Sequence, residues 1–465
     1  MKRLITFILV IASIFSCMLF QSCKKINNNA ISDVENSAAE PGKYVQGGKV
    51  LYGKRLTTNN FGTVRTGDLF IEIFFGNLLG YYTMDDPKNG QIFCFDPTCT
   101  HGPQDESCNA VINAYLPTAG ETEEYPISMF VDMYENASSP VIYIAYRRDD
   151  FYTVNDVPAE REPCYCIEKL DISVGKREVV ADDIKYTIDQ ICSYDDCLYY
   201  VLDMGGSDGK MMYRLKKEGG KPEQLDRDEN AIDLCILDAT GDKLYYTVNN
   251  RYLYRCSLNL KGSEKVFDLG ELKGSDGNKG VIAGMFYDYL YFFTDIEEVF
   301  FKEDQPMAVD YKGSCFRLPV NDLGGTPETV AQNIMYAPNY YAFTEGTFYY
   351  EPCVYRAVDK SEQEGYCMPF SLSDGVLMAY DMVSGEHRTV AEKTGLDINI
   401  RYAWNDIVFI SGWPYDATGV KLSNSDTNLI LAYSNGDEYR VWNKGDINAI
   451  GYLDPSVYDD DYYGE

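Results

Sequence analysis

The stretch Cys94-Phe-Asp-Pro-Thr-Cys99-Thr-His101-Gly-Pro-Gln-Asp-Glu-Ser-Cys108 sets three thiols and one imidazole within 15 residues. Three thiolates and a neutral imidazole make a closed tetrahedral shell for Zn²⁺, and Pro97, Gly102 and Pro103 allow the turns that would fold four donors inward. With every ligand place filled by protein, such an ion would clip a loop rather than act on a substrate. A disulfide between two of the three cysteines, or free thiols, fits the same spacing. Structural Zn is the only cofactor the residues suggest.

Other catalytic patterns are weaker. His387 is the one histidine outside that cluster, and it lies in the turn-like Ser384-Gly-Glu-His-Arg388, where a solvated imidazole is expected. Gly205-Gly-Ser207-Asp-Gly209 matches G-x-S-x-G but has no following helix, so no nucleophile elbow forms. Asp226-x-Asp228-x-Asn230 lacks the glycine and terminal glutamate of a calcium loop. No phosphate-binding glycine loop or dinucleotide fingerprint is present. Paired carboxylates for glycoside chemistry remain open, because acidic residues occur throughout and their separation is invisible in sequence.

Of 14 cysteines, Cys17 and Cys23 fall near the N-terminus and twelve remain. Cys192 and Cys197 flank Ser-Tyr-Asp-Asp, a spacing that predicts a disulfide across a hairpin. Cys164 and Cys166 alternate on one strand and point to opposite faces, so they do not bond to each other.

The elements that position these residues repeat. Apolar-aromatic runs recur as LGYYTM (79–84), VIYIAY (141–146), CLYYVL (197–202), KLYYTV (243–248), YLYFFT (289–294), TFYYEP (347–352) and DIVFIS (406–411). Between Tyr82, Tyr143, Tyr199, Tyr245, Tyr291, Tyr349 and Val408 the spacings are 61, 56, 46, 46, 58 and 59. A period near 40 to 50 residues made of short strands predicts an all-β β-propeller, with the longer steps taken up by loop insertions. Seven markers suggest seven blades, and six or eight are compatible. A ring of blades buries each sheet on both faces, which explains strands that are apolar throughout instead of alternating. In the unit 242–267, Asn249-Asn250 supplies the positive-φ turn between two such strands. A β-sandwich array is the competing architecture.

Second strands repeat as Tyr213-Arg214 with Gly219-Gly220, Tyr254-Arg255 with Gly262, and Phe316-Arg317 with Gly324-Gly325. On these residues the chain resembles the TolB-like and YWTD-like propellers, covering three blades well and the others loosely. That resemblance implies a fold and not an activity. The 94–108 cysteine pattern is similar to one in exported clostridial propeller lipoproteins.

Residues 1–22 read as an export signal, with Lys2 and Arg3 ahead of the apolar run Leu4 to Phe20. Ser22-Cys23 resembles a lipoprotein cleavage box and makes Cys23 the expected lipidation site, with Cys17 competing. A plain N-terminal anchor needs about 20 apolar residues and this run is shorter. Residues 23–42 read as a flexible tether, 43–456 as the propeller and 457–465 as an acidic tail. A strand within Val45 to Leu56 is expected to pair near Ile447 to Leu453 and close the ring.

Four long insertions follow the YY-type strand, at Arg147 to Pro163, Ile296 to Gly313, Cys353 to Asp374 and Gly412 to Thr427, and should share one face. They carry Phe151, Tyr152, Tyr311, Tyr355, Tyr366, Trp413 and Tyr415. Of these, Tyr152, Tyr311, Tyr355, Trp413 and Tyr415 are candidate ligand-binding residues, since aromatic faces beside carboxylates stack on sugars or anchor proteins. Packing against the rim is the alternative for the same rings.

The formal charge is −31, and −33 once a signal carrying Lys2 and Arg3 is removed. So acidic a chain repels phosphate backbones, which excludes nucleic acid as a partner. The residues point to a monomeric, lipid-anchored, extracytoplasmic module that binds a glycan or an envelope protein rather than an enzyme. A polysaccharide hydrolase or lyase with carboxylate and tyrosine residues at the propeller pore is the alternative.

Overall fold

A computed structural model describes, with short breaks, residues 64–94, Ala110, and residues 128–226, 231–272, 280–299, 310–353, 375–414 and 429–441. They form seven four-stranded antiparallel sheets and one two-stranded ribbon. Blade 1 holds β1 (Val64–Thr66), β2 (Leu69–Phe74), β3 (Leu78–Thr83) and β4 (Asp86–Ile92). Blade 2 runs β5 (Ser128–Asp132), β6 (Val141–Arg148), then the ribbon β7 (Phe151–Val154) and β8 (Val157–Glu160), then β9 (Cys164–Asp171) and β10 (Lys176–Ile184). Blade 3 is β11 (Thr187–Tyr194), β12 (Cys197–Asp203), β13 (Lys210–Lys216) and β14 (Glu223–Gln224). Blade 4 is β15 (Leu234–Thr240), β16 (Lys243–Val248), β17 (Tyr252–Ser257) and β18 (Glu264–Asp268). Blade 5 is β19 (Val281–Phe286), β20 (Tyr289–Val299), β21 (Asp310–Pro319) and β22 (Glu328–Met335). Blade 6 is β23 (Tyr341–Phe343), β24 (Thr347–Tyr350), β25 (Val376–Asp381) and β26 (His387–Glu392). Blade 7 is β27 (Leu396–Ala403), β28 (Ile407–Pro414), β29 (Leu429–Ser434) and β30 (Asp437–Val441).

The described residues therefore form an all-β propeller with seven four-stranded blades. First strands meet the first strands of the next blade, as β1 with β5, β5 with β11, β11 with β15, β15 with β19 and β23 with β27, so they line the axis. Blades 5 and 6 join through one aromatic core holding Tyr291, Phe293, Phe343 and Phe348. The ring closes where Phe70 of blade 1 packs against Trp404 and Phe409 of blade 7, with centroids 5.3 and 5.2 Å apart. All four strands of blade 1 come from residues 64–92 and all four of blade 7 from residues 396–441. Among the described residues closure is thus by packing, and the expected pairing of Val45 to Leu56 with Ile447 to Leu453 lies outside them.

The repeat has a simple physical basis. The second residue of the second strand is Phe70, Ile142, Leu198, Leu244, Leu290, Phe348 or Val408, and each is 0% exposed. A side chain there is enclosed by the neighbouring blade, so no polar type is tolerated. Two markers of the sequence repeat are corrected: Tyr82 lies in β3, the third strand of its blade, where Leu69-Phe70-Ile71 in β2 is the true equivalent of Lys243-Leu244-Tyr245, and Val408 matches Leu244, so that Phe409 is the equivalent of Tyr245. Asn249 and Asn250 both take φ of 54°, the left-handed turn expected of them.

The Tyr-Arg signature also acquires a reason. Tyr199, Tyr245 and Tyr291 stand opposite Arg214, Arg255 and Arg317, which in turn stand opposite Glu223, Glu264 and Glu328. The arginines reach those glutamates at 3.0, 2.6 and 2.8 Å. Three successive blades thus carry one row of Tyr, Arg and Glu across their outer strands, a cross-strand charge pair beside an aromatic.

Candidate functional site

Antiparallel alternation fixes which connections share a side. In every blade the link from second to third strand, and the link from fourth strand to the next blade, leave from the same end. All four insertions and the 93–127 connection leave the described strands from that end. Two insertions are β ribbons. In blade 2, β7 pairs with β8, Phe151 opposite Glu160 and Tyr152 opposite Ala159. In blade 5, β20 and β21 continue beyond the blade, with Glu297 opposite Lys312, Glu298 opposite Tyr311 and Val299 opposite Asp310. A paired ribbon presents residues more rigidly than a free loop.

Tyr311 is 43% exposed on its ribbon. Trp413 belongs to β28, opposite Asp397, and not to a loop. Tyr355 and Tyr415 lie outside the described residues. Tyr152, Tyr311 and Trp413 therefore share a rim but belong to blades 2, 5 and 7.

At the axial end of that rim stands a charged group that the sequence reading missed. The innermost strands bulge at one repeated place, after Ile188, Ile236, Ile282 and Ile400. A bulge turns its extra residue out of the ladder. In β11 that residue is Asp189, and Lys210 Nζ lies 2.8 Å from its Oδ2 and 3.1 Å from Oδ1 of Asp233, just before β15. Lys210 is only 8% exposed. Its amide also donates to Ala231 O at 2.6 Å, which holds the link between blades 3 and 4 against β13. Gln190, next in line, bonds both backbone groups of Ile236 at 2.8 and 2.9 Å and stitches the two inner strands together. Two carboxylates do converge at the mouth, but an ammonium lies between them. The only local signal was Ile-Asp-Gln against Ile-Leu-Asp in equivalent strands.

Of the 94–108 cluster, only Cys94 is described, as a half-buried free thiol whose amide donates to Ile92 O at 2.9 Å. Cys99, His101 and Cys108 lie outside the described residues, as do Cys23 and the leader. Further along that connection, Ala110 O accepts from Leu79 N at 2.8 Å, so the chain returns to the head of β3.

The predicted Cys192–Cys197 disulfide is corrected. Cys192 faces Tyr199 and Cys197 faces Tyr194, because the turn consists of Asp195 and Asp196 alone. That register makes the cysteines diagonal neighbours on one face, about 7 Å apart, beyond disulfide reach. Both are buried free thiols. Cys197 Sγ instead lies 3.0 Å from Asp196 Oδ1 and accepts from Arg214 Nε at 3.1 Å. Cys164 and Cys166 alternate in β9 as expected, and both are buried. Cys164 shares its end of the blade with the exposed Asp182 and Asp183, three donors within 4.8 Å of one another.

His387 opens β26, exposed, its Nδ1 3.0 Å from Tyr350 OH and its ring 4.9 Å from that of Tyr380. It sits at the end of its blade opposite the insertions. Gly206–Asp208 form an exposed 3-10 turn followed by strand β13, so no nucleophile elbow is built.

No family model matches the chain, and no curated protein matches it. Solved structures do. The β-propeller domain of the Trilobed protease from Pyrococcus furiosus is 12% identical, over 82% of this chain and 97% of that one, with a TM-score of 0.40. The uncomplexed acylaminoacyl peptidase of Pyrococcus horikoshii is 11% identical over 84% and 54%, at 0.42. The oligogalacturonate lyase from Vibrio parahaemolyticus is 11% identical over 82% and 92%, at 0.40. The chain spans about half the length of the acylaminoacyl peptidases it matches. At these identities a likeness concerns fold, and the architecture above stands on this chain's own strand pairing.

Proposed function

We propose that this propeller is a lipid-anchored, extracytoplasmic binding module that takes a glycan or an envelope protein on the rim bearing its insertions. Cys23 carries the lipid in this reading, residues 23–42 are the tether and 43–456 the working domain, acting as a monomer. The observation that supports it most is that all four insertions leave the described strands from one end, two of them as paired ribbons, one of which carries the exposed Tyr311. Rigid loops on a rigid scaffold are where recognition usually resides. Cys94, Cys99, His101 and Cys108 act on this view as a structural clip on the same rim, holding Zn²⁺ or forming a disulfide. A glycan array and a pull-down from envelope extracts with the purified domain test the proposal. Binding that disappears when the β7–β8 ribbon is replaced by a short turn supports it, and absence of binding to any glycan or envelope protein removes it.

A second reading, a polysaccharide hydrolase or lyase, draws on the convergence of Asp189 and Asp233 at the axial mouth. Lys210 occupies the space between those two carboxylates, where a glycosidase would need room for sugar and water. Polysaccharide turnover that survives in the wild type and fails in Asp189→Asn and Asp233→Asn would favour this reading over binding alone.

A further inference from the structure

Asp238 lies on the innermost strand β15, just past the bulge after Ile236, at the end of the propeller away from the insertions. It is 5% exposed. Its Oδ1 accepts a hydrogen bond from the amide of Ala239 at 2.7 Å, a local contact within one turn of chain. No salt bridge to it forms among the described residues. The cations of the adjoining strands are engaged elsewhere: Lys243 lies 3.7 Å from Asp242, and Arg255 lies 2.6 Å from Glu264. The titratable groups that face it are Cys192 and Tyr194 from β11, Tyr245 opposite it in β16, and Asp288 in the turn into β20. None of these brings a positive charge.

A carboxylate kept from water and left without a cation is far more costly than the neutral acid. We propose that Asp238 is a proton-binding site, carried as the neutral carboxylic acid in the folded propeller, through which acid strengthens the seam between blades 3, 4 and 5. Burial pushes its carboxyl well above the ordinary aspartate range, opposed by the Ala239 amide and reinforced by the negative charge of Asp288. The sign follows from linkage. The folded state holds this proton more tightly than the unfolded chain, so the group's contribution is fully present below the unfolded value of about 3.9 and is lost as pH rises through the folded value. That is the reverse of a salt-bridged aspartate.

Urea unfolding of the full chain and of Asp238→Asn, compared across the acid to neutral range, tests this. The wild-type unfolding constant divided by that of the variant should rise with pH by up to tenfold per unit, then level off. In an Asp288→Asn background the ratio should level at a lower pH, since a neighbouring negative charge is gone. A ratio independent of pH overturns the proposal. If Asp238→Asn fails to fold, infrared spectroscopy of aspartate-labelled wild type decides: a protonated carboxyl band persisting above about pH 5 is expected, and its absence there overturns the proposal equally.

Discussion

Lys210 of β13 reaches across to Asp233 at the head of blade 4, 3.1 Å away, while holding Asp189 of its own blade at 2.8 Å. One ammonium thereby fixes the end of a bulged inner strand, the following blade and the link between them. Its side chain is 10% exposed and its partners 24% and 19%, so water screens the group little. Lys210→Met should leave two carboxylates facing each other and lower unfolding free energy by about 3 kcal/mol. Adding Asp189→Asn and Asp233→Asn should restore most of it. Urea titration reads both effects, and a loss under about 1 kcal/mol would mean that the three groups are solvated.

Arg317 separates stacking from charge. Its guanidinium lies 4.3 Å from the centre of the Tyr289 ring and 5.7 Å from that of Tyr380, and its Nη1 donates to Met382 O at 3.2 Å. Glu328, its ion-pair partner, is 51% exposed. Glu328→Ala should therefore change stability by less than about 0.5 kcal/mol, and Arg317→Ala by about 1 to 2 kcal/mol. Equal losses in thermal or urea unfolding would place the energy in the ion pair instead.

Ring closure rests on aromatic packing. Phe70 is 0% exposed, against Trp404 and Phe409. Phe409→Ala should cost about 3 to 4 kcal/mol and speed amide exchange in blade 1 as well as blade 7. Faster exchange confined to blade 7 would mean that the first and last blades are not neighbours.

The buried thiols should be silent until the protein opens. Burial pushes Cys192 far above the ordinary thiol range and Cys256 up to about 12, so neither offers thiolate near neutral pH. Alkylation of the unreduced protein should label Cys192 and Cys197 only after unfolding, and then both completely. Resistance to alkylation in denaturant without reductant would restore the disulfide.

Much of the architecture was legible because the propeller repeats its constraints. Positions such as Leu198, Leu244 and Leu290 meet the same enclosed environment in each blade, so period and blade number appear in the residues themselves. Tyr82 misled because blade 1 also places an aromatic pair in its third strand, and type alone does not separate second strand from third. Cys192 and Cys197 misled because a two-residue turn and a four-residue turn share the same letters, and one step of register decides which atoms meet. Lys210 was invisible for a different reason. Its partners come from a bulge 21 residues before it and a link 23 residues after it, and neither spacing belongs to any local period. Asp238 resembles any acidic residue until its burial is known.

The most direct test of the shared working rim is a pair of replacements measured in the same binding experiment. One exchanges the β7–β8 ribbon for a short glycine-serine turn, and the other exchanges the turn at 383–386, on the opposite end of blade 6, for the same sequence. With both proteins folded, binding to the glycan or envelope protein found by screening should be lost in the first and unchanged in the second. Loss only in the second, or equal binding by both, would contradict the assignment of that rim.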